Sequence, residues 1–332
     1  MKEQASVERK GRYAAMTLGG MLPYAIILLF LGWCVVAFRT DIARINFSPV
    51  WAARDAIFIA ALLSLVNYAL RIARWTFYLS RLGHTLPLGF SALTYVAGFA
   101  FTLSPGKVGE MVRGRYYQKI GIPLSTTAAA FFIERLMDLL AMLALAFLAV
   151  STSSAYSMLI WSAVAVIVLL LSALACAPWE RISRWTEKID RFPAYLDRAV
   201  RGVLRTLLSA RNLLTLPILA TGFGIGLIAW GAEGVGLMIL GAISPGVPLD
   251  WATATGIYSV AIIVGALSFL PGGLGSTEAV MIALLAAHGY PMSDAIVLTL
   301  VCRLLTLWFA VAIGWMTVAA LRHNPLLKKE TP

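Results

Sequence analysis

Charged residues are scarce in this chain of 332 residues: 13% of them are Asp, Glu, Lys or Arg, against roughly 25% in a soluble domain. That shortage excludes an ordinary water-facing surface and implies that most of the chain sees lipid. Cysteine is nearly absent too. Cys34, Cys176 and Cys302 are odd in number and far apart, which leaves no disulfide framework. His84, His288 and His323 are equally isolated, so no metal-ligand spacing exists and no cofactor is expected. Gly272-Gly273-Leu274-Gly275-Ser276-Thr277 lacks the lysine of a nucleotide phosphate loop. With no activated nucleophile pair either, the chain is not expected to be an enzyme.

Apolar sequence, by contrast, is abundant at 60%. Runs of about 18 residues or more mark membrane-spanning helices. They lie near 20–38, 56–70, 136–178 with a polar break at 151–155, 214–232 and 304–321. The run after Met21 is long enough to span, so it reads as a helix and not as a cleaved signal. The net charge of +11 raises the question of nucleic acid, but the basic residues follow membrane topology. Lys2, Arg9, Lys10 and Arg12 sit in the N-terminal tail, eight basic residues in 179–213, and Arg322, Lys328 and Lys329 in the C-terminal tail. Short basic loops face the cytoplasm. Both termini and 179–213 are therefore expected there, in a multi-pass protein of a bacterial inner membrane with no nucleic-acid partner.

Segment 179–213 carries Ile182, Trp185, Ile189, Phe192, Leu196, Val200, Val203 and Leu207 at helical spacing, flanked by Arg184, Arg191, Arg198, Arg201 and Arg205. Two readings fit. Either it is an interfacial helix on an anionic leaflet, or it is a cytoplasmic linker whose apolar face packs on the bundle. Pro193 is expected to kink or divide it.

Loop parity places spans at about 20–38, 56–80, 123–150, 156–177, 214–241 and 293–320, with Arg71, Arg74, Arg81 and His84 inside or near the inner interface. The stretches 88–120 and 252–288 must each cross an even number of times. The arm 108–120 has 13 residues, about 20 Å of helix, short of the roughly 30 Å hydrocarbon core. Both stretches therefore read as re-entrant hairpins. Full crossing by both arms would give up to ten crossings with the same ends.

One block occurs twice. Gly121-Ile-Pro123-Leu-Ser125 precedes Arg135 by 14 residues, and Gly289-Tyr-Pro291-Met-Ser293 precedes Arg303 by the same 14. Upstream lie Pro105-Gly106-Lys107-Val-Gly109-Glu110 and Pro271-Gly272-Gly273-Leu-Gly275-Ser-Thr-Glu278, which read as hairpin tips. The first hairpin enters from the cytoplasm and the second from outside. Broken, duplicated apolar segments of this kind point to a transporter's midplane site. The expected fold is all-α and integral to the membrane, a single polytopic domain over 1–332. It has about six spanning helices and two re-entrant helical hairpins in an inverted repeat, repeat A over about 56–150 and repeat B over about 214–320.

Ionisable groups at mid-depth cost roughly 2.5–3.5 kcal/mol each, yet Lys107, Glu110, Arg113, Glu134, Arg135, Asp138, Glu233, Glu278 and Arg303 all fall there. Five acids against four bases allow near-complete pairing. Arg135 and Asp138 share a helix face at i,i+3, as do Glu134 and Asp138 at i,i+4. In the second repeat Cys302 and Thr306 stand where Glu134 and Asp138 would be, so Arg303 needs Glu278, Glu233, another helix or a substrate anion. Each tip is expected to start a short helix, at about Val108 and about Gly275, whose N-terminus favours anions. Glu110 and Glu278 then either cap those helices or take part in binding. Gly222, Gly224, Gly226, Gly231 and Gly234 suit close helix packing. Glu233 is the residue of that helix that packing explains least.

These pieces resemble the membrane domain of the lysylphosphatidylglycerol synthase/flippase family. The matching stretches are Arg71-Ile-Ala-Arg74-Trp75, Pro105-Gly-Lys-Val-Gly109-Glu110, Glu134-Arg135-Leu-Met-Asp138, Leu270-Pro-Gly-Gly-Leu-Gly275 with Glu278, and Arg303 with Trp308. The resemblance implies a protein that moves lipids between leaflets, with the tips, Glu110, Arg135, Asp138, Glu278 and Arg303 along the lipid path. Phe101, Ser104 and Lys107 depart from the family's usual Asn, Leu and Arg. The aminoacyl-transferase domain of bifunctional members is not represented, so aminoacyl-lipid synthesis is not inherited. Membrane lipids, anionic or phosphate-bearing, are the expected partners. The alternatives to a transporter are an intramembrane enzyme that modifies a lipid headgroup, with Glu134 and Asp138 as its acids, or a non-transporting scaffold of a lipid-biosynthesis complex.

Overall fold

The computed structural model describes residues 48–150 and 194–322, apart from 245, with scattered positions between 165 and 184. The expected span 20–38, the link 151–155, most of 156–177, positions 185–193 and the tail residues Lys2, Arg9, Lys10, Arg12, Lys328 and Lys329 lie outside the described residues.

Every regular element among the described residues is helical. After a short turn at Ser48–Ala52 come α1 (Arg54–Arg81), α2 (Leu88–Phe99), α3 (Val112–Gln118), α4 (Leu124–Val150) and α5 (Ala194–Arg211). There follow α6 (Leu216–Leu240), α7 (Trp251–Leu267), α8 (Ser276–Ala287) and α9 (Met292–Leu321), the last containing a π turn at Leu304–Trp308. Helices α1, α6 with its 3₁₀ extension to Ile243, and α9 are long and apolar enough to cross a bilayer. Helix α4 has the length of a span at 27 residues but holds three charges in its middle. Phe58, Leu62 and Leu65 on α1 and Leu304, Trp308 and Trp315 on α9 are exposed, an apolar exterior suited to lipid.

The duplicated block is a helix stop and start. Gly121 and Gly289 take φ of 86° and 109°, the left-handed turn that glycine permits. The amide of Ile122 then donates to the Tyr117 carbonyl at 3.0 Å, and that of Tyr290 to Leu285 at 3.1 Å. Pro123 and Pro291 follow, where a missing N–H costs nothing, and α4 and α9 begin. Helix α7 starts differently. Asp250 caps it, accepting from the amides of Thr253 at 3.1 Å and Ala252 at 2.9 Å. Hydrogen bonds, those from Thr253 foremost, hold the Asp250 carboxyl below the usual carboxylate range.

Both Pro-Gly turns break the chain as the sequence implies. Gly106 and Gly272 have φ of 60° and 63°. Lys107 is left-handed as well, at 57°, a strained conformation for a residue with a Cβ. The first turn is longer than expected: a 3₁₀ stretch, Pro105–Met111, precedes α3, so the α-helix begins at Val112 and not near Val108. Ser104 Oγ holds the Gly109 amide at 2.6 Å and stabilises that tight stretch. Helix α8 begins at Ser276, one residue beyond the expected start. The two turns meet. A Cβ on Gly272 would lie 2.7 Å from Leu103, and one on Gly106 would lie 3.9 Å from Phe269.

Packing between the halves is reciprocal. Helix α2 lies against the end of α9 (Phe309–Leu321), and α7 lies against α4. Helices α1 and α6 run along each other at the centre. A Cβ at Gly226 would come within 3.0 Å of Arg74 Nη1 and 3.2 Å of Ala141. Gly222 abuts the Tyr78 hydroxyl and Gly234 abuts Thr255, the small-residue contact that lets backbones approach. Gly224 and Gly231 face open space. Helix α5 packs on α4 and buries Ala210, with Arg205 and Arg211 exposed. Of the two readings for that basic segment, its described half follows packing on the bundle.

Candidate functional site

Helix α1 presents Ser64, Asn67, Arg71, Arg74 and Tyr78 every three or four residues, and all five are buried. This spacing puts a polar stripe on the inward face of an otherwise apolar helix. Arg71 and Arg74, expected inside or near the inner interface, are thus enclosed by protein on that face. They lie ten and seven residues before the end of α1, about 15 and 10 Å of helix. Arg81, at that end, is exposed.

Arg74 begins a network with α4. Its Nη2 pairs with Asp138 and lies 3.7 Å from Glu134. Arg113, from α3, bonds Glu110 at 2.8 Å and Glu134 at 3.3 Å. Its guanidinium carbon lies 4.3 Å and 4.5 Å from the ring centroids of Trp75 and Tyr95. Arg135 reaches Glu134 at 3.1 Å, Asp138 at 3.2 Å and Glu110 at 3.8 Å. Neutral donors complete the acids. Tyr95 donates to Glu134 through a short bond, Trp230 Nε1 to Asp138 at 2.9 Å, and Thr102 to Glu110 at 3.0 Å. Each carboxylate thus has cations and at least one neutral donor, the condition under which buried charge is tolerable.

The second half is sparser. Arg303 Nε bonds Glu278 at 2.6 Å, and its Nη2 donates to the Gly272 carbonyl at 2.9 Å. The other Glu278 oxygen accepts from the Gly275 amide at 2.7 Å. Of the partners open to Arg303, the structure selects Glu278. The bond from the Gly275 amide caps the start of α8, one of the two readings open for Glu278.

Between the two halves is a polar cavity of about 40 Å³, room for two or three waters. Arg71, Lys107, Glu110, Trp230, Glu233 and Arg303 line it. Arg71 is 5% exposed, and its Nε and Nη2 have no hydrogen-bond partner. No carboxylate among the described residues lies within ion-pair distance. Its guanidinium carbon rests instead 5.3 Å from the Phe99 and Trp230 ring centroids and 5.8 Å from that of Tyr95. Lys107 Nζ lies 5.9 Å from the Trp230 ring centroid, with no ion-pair partner among the described residues. Glu233 is 3% exposed and, among the described residues, accepts only from Ser64, at 3.0 Å.

The nine residues expected from sequence therefore divide. Glu110, Arg113, Glu134, Arg135 and Asp138 form one network. Lys107, Glu233 and Arg303 reach the cavity, where Glu110 joins them, and Glu278 stands behind Arg303. Sequence reading missed Arg71, Arg74, Tyr95, Trp230 and Ser64. With Arg71 and Arg74 added, six bases face five acids, so the near-complete pairing expected from four bases gives way to a surplus of cations.

Comparison with known proteins places this arrangement in context. The family model described as the lysylphosphatidylglycerol synthase TM region matches residues 20–314. A UPF0104 membrane protein of Methanothermobacter thermautotrophicus is 26% identical over 306 residues, covering 87% of this chain and 89% of that protein. A second UPF0104 membrane protein of the same organism is 26% identical over 142 residues, covering 41% of this chain and 42% of its own length.

Proposed function

We infer that this chain, which belongs to the lysylphosphatidylglycerol synthase transmembrane-region family, moves a phospho- or glycolipid between the leaflets of the inner membrane without altering it chemically. Family membership supports a lipid-related membrane role. The observation that carries the finer reading is Arg71: a buried guanidinium that lines the cavity and has two nitrogens without a hydrogen-bond partner among the described residues. A guanidinium suits phosphate oxygens, which accept in a two-pronged way. Lys107 adds a second cation to the cavity lining, on a strained backbone that points to function.

The reading has repeats A and B as inverted copies, each with a re-entrant hairpin. Its support is the reciprocal packing of α2 on α9 and α7 on α4, and the contact between the two Pro-Gly turns. Broken backbone at membrane depth is tolerated where it is buried or lines a wet cavity. A cavity of about 40 Å³ is too small for a headgroup, so the reading requires it to widen when cargo enters. Rocking of one repeat against the other would open it to each leaflet in turn. The reading puts both termini in the cytoplasm, with the basic residues of 179–213 and the two tails as its support.

The test is leaflet exchange of headgroup-labelled phosphatidylglycerol in proteoliposomes, with a neutral diacylglycerol glycolipid alongside. Faster exchange than in protein-free vesicles is expected, and the ratio between the two lipids ranks the cargo classes. Exchange equal to that of empty vesicles for both would contradict the reading.

A further inference from the structure

We propose that Glu233 takes up a proton when an anionic cargo enters the cavity, so that transport is coupled to proton movement. The proposal rests on the reading of the cavity as the cargo site. Four of the five midplane acids are held in ion pairs: Glu110, Glu134 and Asp138 by the arginines of the first half, and Glu278 by Arg303. Protonating any of them breaks such a pair. Glu233 has a single hydroxyl donor and no ion-pair partner among the described residues. It is the acid that changes charge at least structural cost.

The groups around it are few. Helix α1 presents Ser64, Tyr68 and Arg71; α7 presents Tyr258; α9 presents Cys302, Arg303 and Thr306; the first Pro-Gly turn presents Lys107 and Glu110. From α4, Asp138 is engaged by Arg74 and by Trp230, one turn before Glu233. Arg71 and Lys107 are the cations in this set without an acid partner. An anion bound to them puts a second negative charge beside the Glu233 carboxylate in a confined, low-dielectric space. Two such charges disfavour joint ionisation. The carboxylate then accepts a proton from the aqueous phase, and the pair enters as anion plus proton. Release of the anion lets the proton leave.

The experiment uses the purified full chain in detergent, weakly buffered, with a pH indicator. The probe is short-chain phosphatidylglycerol, a phosphodiester whose charge is constant near neutral pH, so any proton taken up belongs to the protein. Measured on the alkaline side of neutral, wild type is expected to bind with uptake of up to one proton per lipid, and its affinity to fall by as much as about tenfold per pH unit there. Glu233→Gln is expected to bind without uptake and with pH-independent affinity, and Glu233→Asp to restore both. Binding by wild type without uptake, or uptake that persists in Glu233→Gln, overturns the coupling and leaves the cargo site standing. Absence of binding by wild type sinks the cargo site and the coupling with it.

Discussion

The two halves carry the same duplicated block but use its arginine in opposite ways. In the first, Arg135 lies within 4.0 Å of three carboxylates that are shared with Arg74 and Arg113. In the second, Cys302 and Thr306 replace the acids of α4, and Arg303 makes two bonds, to Glu278 and to the Gly272 carbonyl. The first arrangement is a crossed network in which no single pair releases freely. The second is a latch between α9 and the second Pro-Gly turn. The π turn Leu304–Trp308 directly follows Arg303, and π turns commonly mark functional positions in helices. One half thus holds a crowded charge network in place, and the other has the simpler contact.

If that contrast is right, removing an acid costs far more in the first half. Glu134→Ala leaves Arg113 and Arg135 short of a partner and is expected to destabilise by about 3–5 kcal/mol, read as thermal unfolding in detergent. Glu278→Ala is expected to cost about 1–3 kcal/mol, because Arg303 keeps the Gly272 carbonyl; an equal loss in both variants would erase the distinction. Asp250→Ala, which removes the cap that opens the second hairpin, is expected to cost about 1 kcal/mol. The first hairpin starts at Pro87 without a side-chain cap and has no counterpart to lose. Since the folded Asp250 carboxyl is held low, its contribution is present above about pH 4 and is lost as pH falls through the folded value. Smallest of all is the stability effect of Arg71→Ala, expected within about 1 kcal/mol of wild type, because relief of a buried, unpaired cation offsets the loss of its attraction to the aromatic rings.

Much of the frame was legible in the sequence because glycine and proline act locally. Pro105-Gly106, Pro271-Gly272 and both Gly-x-Pro blocks mark where helices stop and start, and the structure breaks there. The i,i+3 pairing of Arg135 with Asp138 followed from helical geometry alone. Arg71 and Arg74 were read for topology and not as part of the site, because loop-charge rules treat an arginine near a helix end as a marker of sidedness. The better signal was available: Ser64, Asn67, Arg71 and Arg74 recur on one face of α1, a polar stripe that lipid would not tolerate. Trp230 was not legible, since its role depends on α6 bringing its indole N–H to Asp138 on α4, 92 residues away in sequence. The choice between capping and binding for Glu278 was likewise open in the sequence. Its bond to the Gly275 amide depends on how the side chain folds back, which spacing alone leaves undecided.

Arg71→Ala in the leaflet-exchange assay puts the central claim at risk most directly, because that residue contributes charge to the cavity without holding the fold together. Loss of phosphate-to-guanidinium bonds worth about 1.5–3 kcal/mol predicts exchange of labelled phosphatidylglycerol slowed roughly 10- to 100-fold, with the unfolding temperature close to that of wild type. Exchange at the wild-type rate in a folded Arg71→Ala protein would contradict the account.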